Sequence, residues 1–394
     1  MSPVEAFPAF AVVVGEEASD PIVTHEGVDV RVDELAASRH LALQAGDLAD
    51  VAGLGVDLFR YGMPWRLAEP APGTYDWSLW DQALAACEDA GLTPIVDLLH
   101  FGLPDHLGGF CDVAFVDAFC AYVDAFLARY PGPMFFTPVN EPGITATMSA
   151  RFGIWNDRRA SEADHVTAIA NLALANVEAV ARIRADRDGW WIGSEGFGTH
   201  LGVGEEGEAR AAAERAIDWL VWDLQLGHEP LPEVHHALDH LDPATLRRLD
   251  ALAVDGRRVV AGHDFYPISV GDFGGTPARA MTISERVAAY RDEATAWHQR
   301  YGLDFWVAET SNLGLAVDEQ SAWLDGLVAG LDDLAAAGLP VRGVCWYSRG
   351  DQFDWQTALA VPVGAVTEVG LFDDERRPRP SATAFAALAA ARRA

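Results

Sequence analysis

The sequence predicts an α/β chain closed into a single (β/α)8 (TIM) barrel spanning residues 1–394, and three observations predict it. Short β-branched or aromatic runs recur eight times, each followed by a longer segment of helical periodicity. Polar and charged residues gather just past six of those runs, at the strand ends where barrels build sites. No GxGxxG or GxxxxGKS/T follows a strand, so the open doubly wound sheet, which remains the alternative, lacks a nucleotide signature.

The expected strands are Phe7–Val14, Val56–Tyr61, Thr93–Leu99, Met134–Asn140, Trp190–Ser194, Arg258–Tyr266, Asp304–Ala308 and Val341–Tyr347. The expected helices are His40–Ala52, Trp77–Ala90, Val113–Arg129, Ala163–Arg184, Glu208–Leu224, Ile283–Tyr301, Glu319–Ala337 and Ser381–Arg392. Strict alternation of the two requires parallel strands with right-handed crossovers. Gly227–Asp255 is longer than a simple connection and carries helical signal, so it reads as an elaboration of the barrel. No linker or low-complexity tract interrupts the chain.

Composition narrows the partners. Lys and Arg total 28 against 59 Asp and Glu, a formal charge of −31, and the chain contains no lysine. Nucleic acid and anionic membranes would repel such a surface. A small neutral molecule is the expected partner, and the oligomeric state stays open. The lysine-free, arginine- and alanine-rich composition fits GC-rich coding and salt adaptation about equally well.

Met1–Val14 lacks basic residues before its apolar stretch and reads as a buried strand, not a signal peptide. No apolar run reaches the roughly 18 residues of a membrane span. Cys87, Cys111, Cys120 and Cys345 have no CxxC spacing and read as free thiols, consistent with a cytoplasmic location.

Two glutamates carry the chemistry. Thr137-Pro138-Val139-Asn140-Glu141-Pro142 and Val307-Ala308-Glu309-Thr310-Ser311-Asn312 each place a glutamate directly after a strand-like run. Carboxylates at the ends of two barrel strands are what glycosidic bond cleavage requires. The other polar strand ends are Arg60-Tyr61, Asp97 to His100-Phe101, His263 to Tyr266, and Trp346-Tyr347-Ser348. A single charged residue after an apolar run can simply open a solvated loop, but six such ends together are harder to set aside.

These segments together resemble glycoside hydrolase family 1, the β-glucosidase and β-galactosidase family. Thr-x-x-Asn-Glu-Pro at 137–142 matches its acid/base motif in full. Phe59-Arg60-Tyr61 is similar to its arginine-bearing second strand, and Leu99–Pro104 to its His-Trp-Asp-Leu-Pro segment. Asn171–Ala175 is similar to its fourth helix. Ser348–Trp355, Gly370-Leu371 and Arg379–Ala382 are similar to its C-terminal run.

The resemblance implies a retaining exo-β-glycosidase with Glu141 as acid/base and Glu309 as nucleophile, and no cofactor or metal. It further implies Arg60 and Tyr266 as supports of Glu309, Asn140 on the sugar 2-hydroxyl and His100 on the hydroxyl beside it. Two alternatives stay open: a specialised transglycosidase or glycosidase of secondary metabolism, and a sugar-binding barrel without hydrolysis.

The departures from the family concentrate among the sugar-reading positions. The nucleophile's flank is Ala308-Glu309-Thr310-Ser311, in place of Thr/Ile-Glu-Asn-Gly. Phe101 replaces a tryptophan and Asp264 an asparagine. Tyr347 aligns with the family's platform tryptophan, with Trp346 beside it and Trp355 as a further candidate. Asp354 stands for the glutamate that grips the far hydroxyls, and Glu17, or Glu16, for the first-strand glutamine. The chain is shorter than usual for the family, so some loops of the pocket wall are expected to be missing. With no lysine present, a phosphorylated glycone is disfavoured.

Three further features have plain structural readings. His235, His236 and His240 fit a solvated helix better than a metal site, for lack of a partner carboxylate motif. Glu195 is a candidate for the pocket wall, and Asp97 is equally suited to a buried structural acceptor. Trp65 and Trp155 read as core.

Overall fold

The computed structural model describes residues 6–275 and 277–393. Residues 1–5 of the N-terminal stretch Met1–Val14 lie outside the described part, and the expected strand Phe7–Val14 lies within it. Eight parallel strands form a closed barrel: β1 (Ala11–Gly15), β2 (Leu58–Gly62), β3 (Thr93–Asp97), β4 (Phe135–Thr137), β5 (Trp190–Ile192), β6 (Val259–Asp264), β7 (Phe305–Thr310) and β8 (Val341–Tyr347). The barrel closes where β1 pairs β8, Ala11 opposite Gly343, and also pairs β2, Val13 opposite Leu58.

The principal helices are α1 (His40–Gly53), α2 (Ser78–Ala90), α3 (Ala114–Arg129), α4 (Glu162–Arg187), α5 (Gly204–Leu226), α6 (Ile283–Tyr301), α7 (Gln320–Ala336) and α8 (Pro380–Arg393). Every expected strand and helix is present, with ends shifted by a few residues. Local chemistry sets several of those ends. The Ser161 hydroxyl accepts the Asp164 amide to start α4, and Thr282 with Glu285 forms a reciprocal capping box at α6.

Side-chain alternation divides the core in two. Ala11, Val13, Leu58, Ile95, Phe135, Ile192, Val260, Trp306, Cys345 and Tyr347 point into the barrel. Val12, Val14, Phe59, Val96, Phe136, Val344 and Trp346 point outward and pack under the helices. By length and composition α4 is apolar enough to cross a membrane, but 78% of its apolar window is buried inside the fold. That stretch escaped the expectation that no run was long enough. Here it serves as a core helix.

Residues 227–255 hold three short helices, Pro232–Val234, His235–Leu238 and Pro243–Leu252, the last packed on α4. His236 faces Glu162 at 2.7 Å and is exposed, as a solvated helix would have it. All four cysteines are free.

Candidate active site

Parity along the strands decides which side chains meet at the carboxyl end of the barrel. On β2, Leu58 points inward, so Arg60 does too; on β6, Val260 points inward, so Asp264 follows. Strand β7 breaks the pattern. Trp306 and Ala308 face the barrel interior, which would send Glu309 outward with Val307. Register shifts on both sides of β7, between Val307 and Glu309 and between Val307 and Thr310, mark a bulge there. The bulge turns Glu309 inward, where Arg60 meets it, and leaves Thr310 pointing back to accept the Trp323 indole N–H at 2.9 Å.

Glu309 is held on both oxygens. Arg60 donates to Oε1, and the Tyr266 hydroxyl donates to Oε2 at 2.7 Å. Arg60 also donates to Asp97 at 2.7 Å and to Asn140 Oδ1. Asp97 in turn accepts His100 Nδ1 at 2.9 Å, so this buried acceptor fixes both the arginine and the histidine. Burial pulls the His100 imidazole down, but Asp97, Glu17 and Glu309 more than offset it, and the ring ends above its ordinary range.

Glu141 sits opposite. It lies one residue before a short helix, Pro142–Ala146, in the left-handed region at φ 40°, a conformation costly for a side-chain-bearing residue. Its amide donates to Ser194 O at 3.0 Å, which ties the end of β4 to that of β5. Burial pushes its carboxyl well above the ordinary carboxylate range, and the charges of Asp264, Glu309 and Glu195 push it further. Oxygens of Glu141, Asp264 and Glu309 all lie within 4.8 Å of one another. Among the described residues this is the group of carboxylates able to hold a metal, although Arg60 and Tyr266 already occupy both oxygens of Glu309.

Asp264 is buried and also raised well above its ordinary range, by burial first and by Glu309 second. The Ser194 hydroxyl lies 2.5 Å from its Oδ2 and 2.8 Å from Asn140 Oδ1, while Oδ1 of Asp264 has no partner. Asn140 turns its amide nitrogen to His100 Nε2 at 3.3 Å. Glu17 accepts the Ser19 amide at 2.8 Å and faces His100 Nε2 at 3.6 Å; burial raises it as well.

A cavity of about 380 Å³ opens over this group. Glu17, His100, Phe101, Glu141, Asp264, Tyr266, Glu309 and Trp355 line it, and Arg60 and Asn140 support it from behind. Glu195 lines it too, accepting the Gly143 amide at 3.0 Å and the Gly196 amide at 2.9 Å, and burial raises it to about 8. Glu16, the other first-strand candidate, is absorbed by Arg349 at 2.6 Å.

Three expected sugar-reading residues are corrected. Trp346 points out of the barrel: it is fully buried, donates to Val369 O at 3.0 Å and packs on Phe385. Its inward neighbour Tyr347 does face the site, stacked on His100 at 5.8 Å with its hydroxyl donating to Glu16 O. It forms part of the barrel's packed floor and is not on the cavity wall. Gly15 makes room for it, since a Cβ there would sit 2.3 Å from the Tyr347 ring. Asp354 spends both oxygens on the Gly364 and Ala365 amides, each at 2.8 Å, folding its own loop. Gln352, two residues earlier, lines the cavity in its place.

Residues 26–221, just under half of the chain, match the model of Glycosyl hydrolase family 1. This chain is a divergent, family 1-like glycoside hydrolase. Its fold is similar to that of the family 1 β-glucosidase from Thermotoga maritima, at 16% identity and a TM-score of 0.81 over 98% of both chains. The β-glucosidase from that organism in complex with galacto-hydroximolactam gives 16% identity and 0.81 over 99% of both chains. The complex with castanospermine gives 16% and 0.80 over 98% of both. No curated protein matches the glycoside hydrolase by sequence.

Sequence reasoning missed Ser194 and Gln352 in this enzyme, along with the apolar part of the cavity: Ile144, Met148, Phe197, Ile217 and Leu313. Ser194 had a signal, as the last residue of an expected strand. The apolar residues had none, because separate loops and helices supply them singly.

Proposed function

We propose that this glycoside hydrolase is a retaining exo-β-glycosidase acting on small neutral β-O-glycosides. Glu309 attacks the anomeric carbon and Glu141 gives its proton to the departing oxygen, then takes one from water as the glycosyl-enzyme is resolved. The observation that carries this is the approach of the two carboxylates, with oxygens within 4.8 Å. Retaining enzymes need about 5–5.5 Å between the carboxyl groups, inverting ones about 6.5–9.5 Å to admit a water.

The electrostatics support the same division of roles. An attacking carboxylate must be held in place with its charge matched by donors, and Arg60 and Tyr266 each donate to one oxygen of Glu309. A general acid is served by a raised pKa, and burial together with the charges of Asp264, Glu309 and Glu195 pushes the Glu141 carboxyl well above its ordinary range. In the same reading Asn140, its Oδ1 fixed by Arg60, offers its N–H to the 2-hydroxyl. His100, Glu17, Asp264 and Gln352 read the remaining hydroxyls, and Phe101 and Trp355 wall the pocket. The chain's strongly acidic composition, without lysine, fits a neutral sugar better than a phosphorylated one.

The test is hydrolysis of a panel of nitrophenyl β-glycosides (glucoside, galactoside, fucoside, xyloside, mannoside, glucuronide) by wild type, Glu309→Gln and Glu141→Gln. Turnover lost in Glu309→Gln, with the first-formed sugar seen by NMR as the β-anomer, is expected. Undiminished turnover in Glu309→Gln, or an α-anomer as first product, would refute the assignment.

A further inference from the structure

We infer that the leaving group this enzyme accepts is a bulky apolar alcohol or phenol, not a second sugar. The inference rests on the glycosidase reading and names the substrate class for its leaving-group side.

The cavity continues past the carboxylates along the residues that follow Glu141. Ile144 and Met148 come from the helical turns after Pro142, Phe197 from the loop after β5, Ile217 from α5, and Ile268 from the segment after β6. This wall begins at the acid itself. A Cβ at Gly196 would lie 2.5 Å from Ile144 Cγ1 and 3.5 Å from Glu141 Oε1, so the isoleucine and the carboxyl oxygen flank one glycine. The departing oxygen has to meet Glu141, so whatever it carries lies against that wall.

Most of the polar side chains around the wall are already paired with one another. Arg151 donates to both oxygens of Glu214, at 2.8 and 2.7 Å. His200 pairs with Asp218 at 2.7 Å, and Thr147 with His165 at 3.0 Å. A second sugar would need free donors and acceptors for its hydroxyls, and those groups would have to break their pairs to supply them.

At the lip, Phe152 is 54% exposed and Ile268 58% exposed, two large apolar side chains left in water beside an apolar cavity. A ligand that covers both recovers the cost of exposing them. The cavity's about 380 Å³ falls within the roughly 300–1,000 Å³ of sites for drug-sized ligands, which leaves room for an apolar group beyond the sugar ring.

The experiment separates binding from turnover. 2-Naphthol is titrated into wild type and into the Phe152→Ser/Ile268→Ser double variant, followed by naphthol fluorescence. Both positions are more than half exposed, so the fold tolerates the change. Saturable binding that weakens about tenfold in the variant is expected; no saturation, or equal binding by the variant, would overturn the inference.

With the glycone identified by the nitrophenyl panel, kcat/KM for alkyl glycosides from methyl to octyl should rise about fourfold per methylene until the cavity fills. These alcohols are similar as leaving groups, so chain length reads burial alone. A flat series, or a disaccharide preferred to the octyl glycoside, would also overturn it. Naphthol bound but no glycoside cleaved would instead remove the hydrolytic reading and leave the apolar site standing.

Discussion

Replacing Asp264 by Asn should move the alkaline limb of the pH profile downward. Asp264 and Glu141 are both raised by burial, but Asp264 starts from the lower ordinary value and has the Ser194 hydroxyl beside it. The charge of Asp264 stands first among those that raise Glu141, ahead of that of Glu309, so Glu141 gives up its proton against both. Oxygens of Asp264 and Glu141 lie within 4.8 Å. At that separation one unit charge acts on another with about 1 kcal/mol in a water-like medium and about 3 kcal/mol at an effective dielectric near 20.

The removed charge corresponds to a downward movement of about half a pH unit to about two and a half pH units. Asn keeps an oxygen to accept from Ser194, so the packing is preserved. The assay is kcat/KM against pH for a glycoside with a poor leaving group, whose cleavage needs the acid; this limb reports the free enzyme. An alkaline limb that stays in place, with activity otherwise retained, would refute the claim that Asp264 is charged while Glu141 titrates.

Four more outcomes are expected. Tyr266→Phe removes the 2.7 Å hydrogen bond to Glu309 and should lower kcat/KM by roughly 10- to 100-fold, as expected for a bond to a charged group. Arg60→Met strands Glu309 and Asp97 as buried charges; urea denaturation should show a loss of about 3–5 kcal/mol. Trp346→Phe should lower the melting temperature without altering the order of preference among glycosides, whereas Trp355→Ala should raise KM for them. Glu195 is raised from 4.5 to about 8, so the folded chain keeps a proton that the unfolded chain releases near pH 4.5. Stability should therefore fall as pH rises between those values, by on the order of a few kcal/mol, and Glu195→Gln should flatten that slope in denaturation midpoints.

The barrel was legible because its strands are apolar on both faces and its helices, α4 excepted, are not, so period and length separate them even without an alignment. Glu141 and Glu309 were legible because each directly follows an expected strand, and Arg60, Asn140 and Tyr266 because their strand ends resemble those of the family; the structure brings all five together. What failed was facing. Trp346 and Tyr347 are adjacent and both aromatic, and only pairing of β8 with its neighbours tells which one looks inward. Asp354 failed for a different reason. An aspartate in a loop serves backbone amides as readily as a ligand, and its amide partners lie ten and eleven residues further on. Gln352 carried no charge to draw notice.

The bulge in β7 has a historical consequence. It separates the Glu309 carboxylate from the packing rules that govern its own strand. Ala308 answers to the barrel interior and Thr310 to Trp323, while Glu309 answers to Arg60, Tyr266 and the Ser194 hydroxyl. Neighbours under such separate constraints can drift independently. The reacting group can then persist in a lineage whose flanking letters have been rewritten, and a comparison scoring those letters will understate how much chemistry two distant chains share.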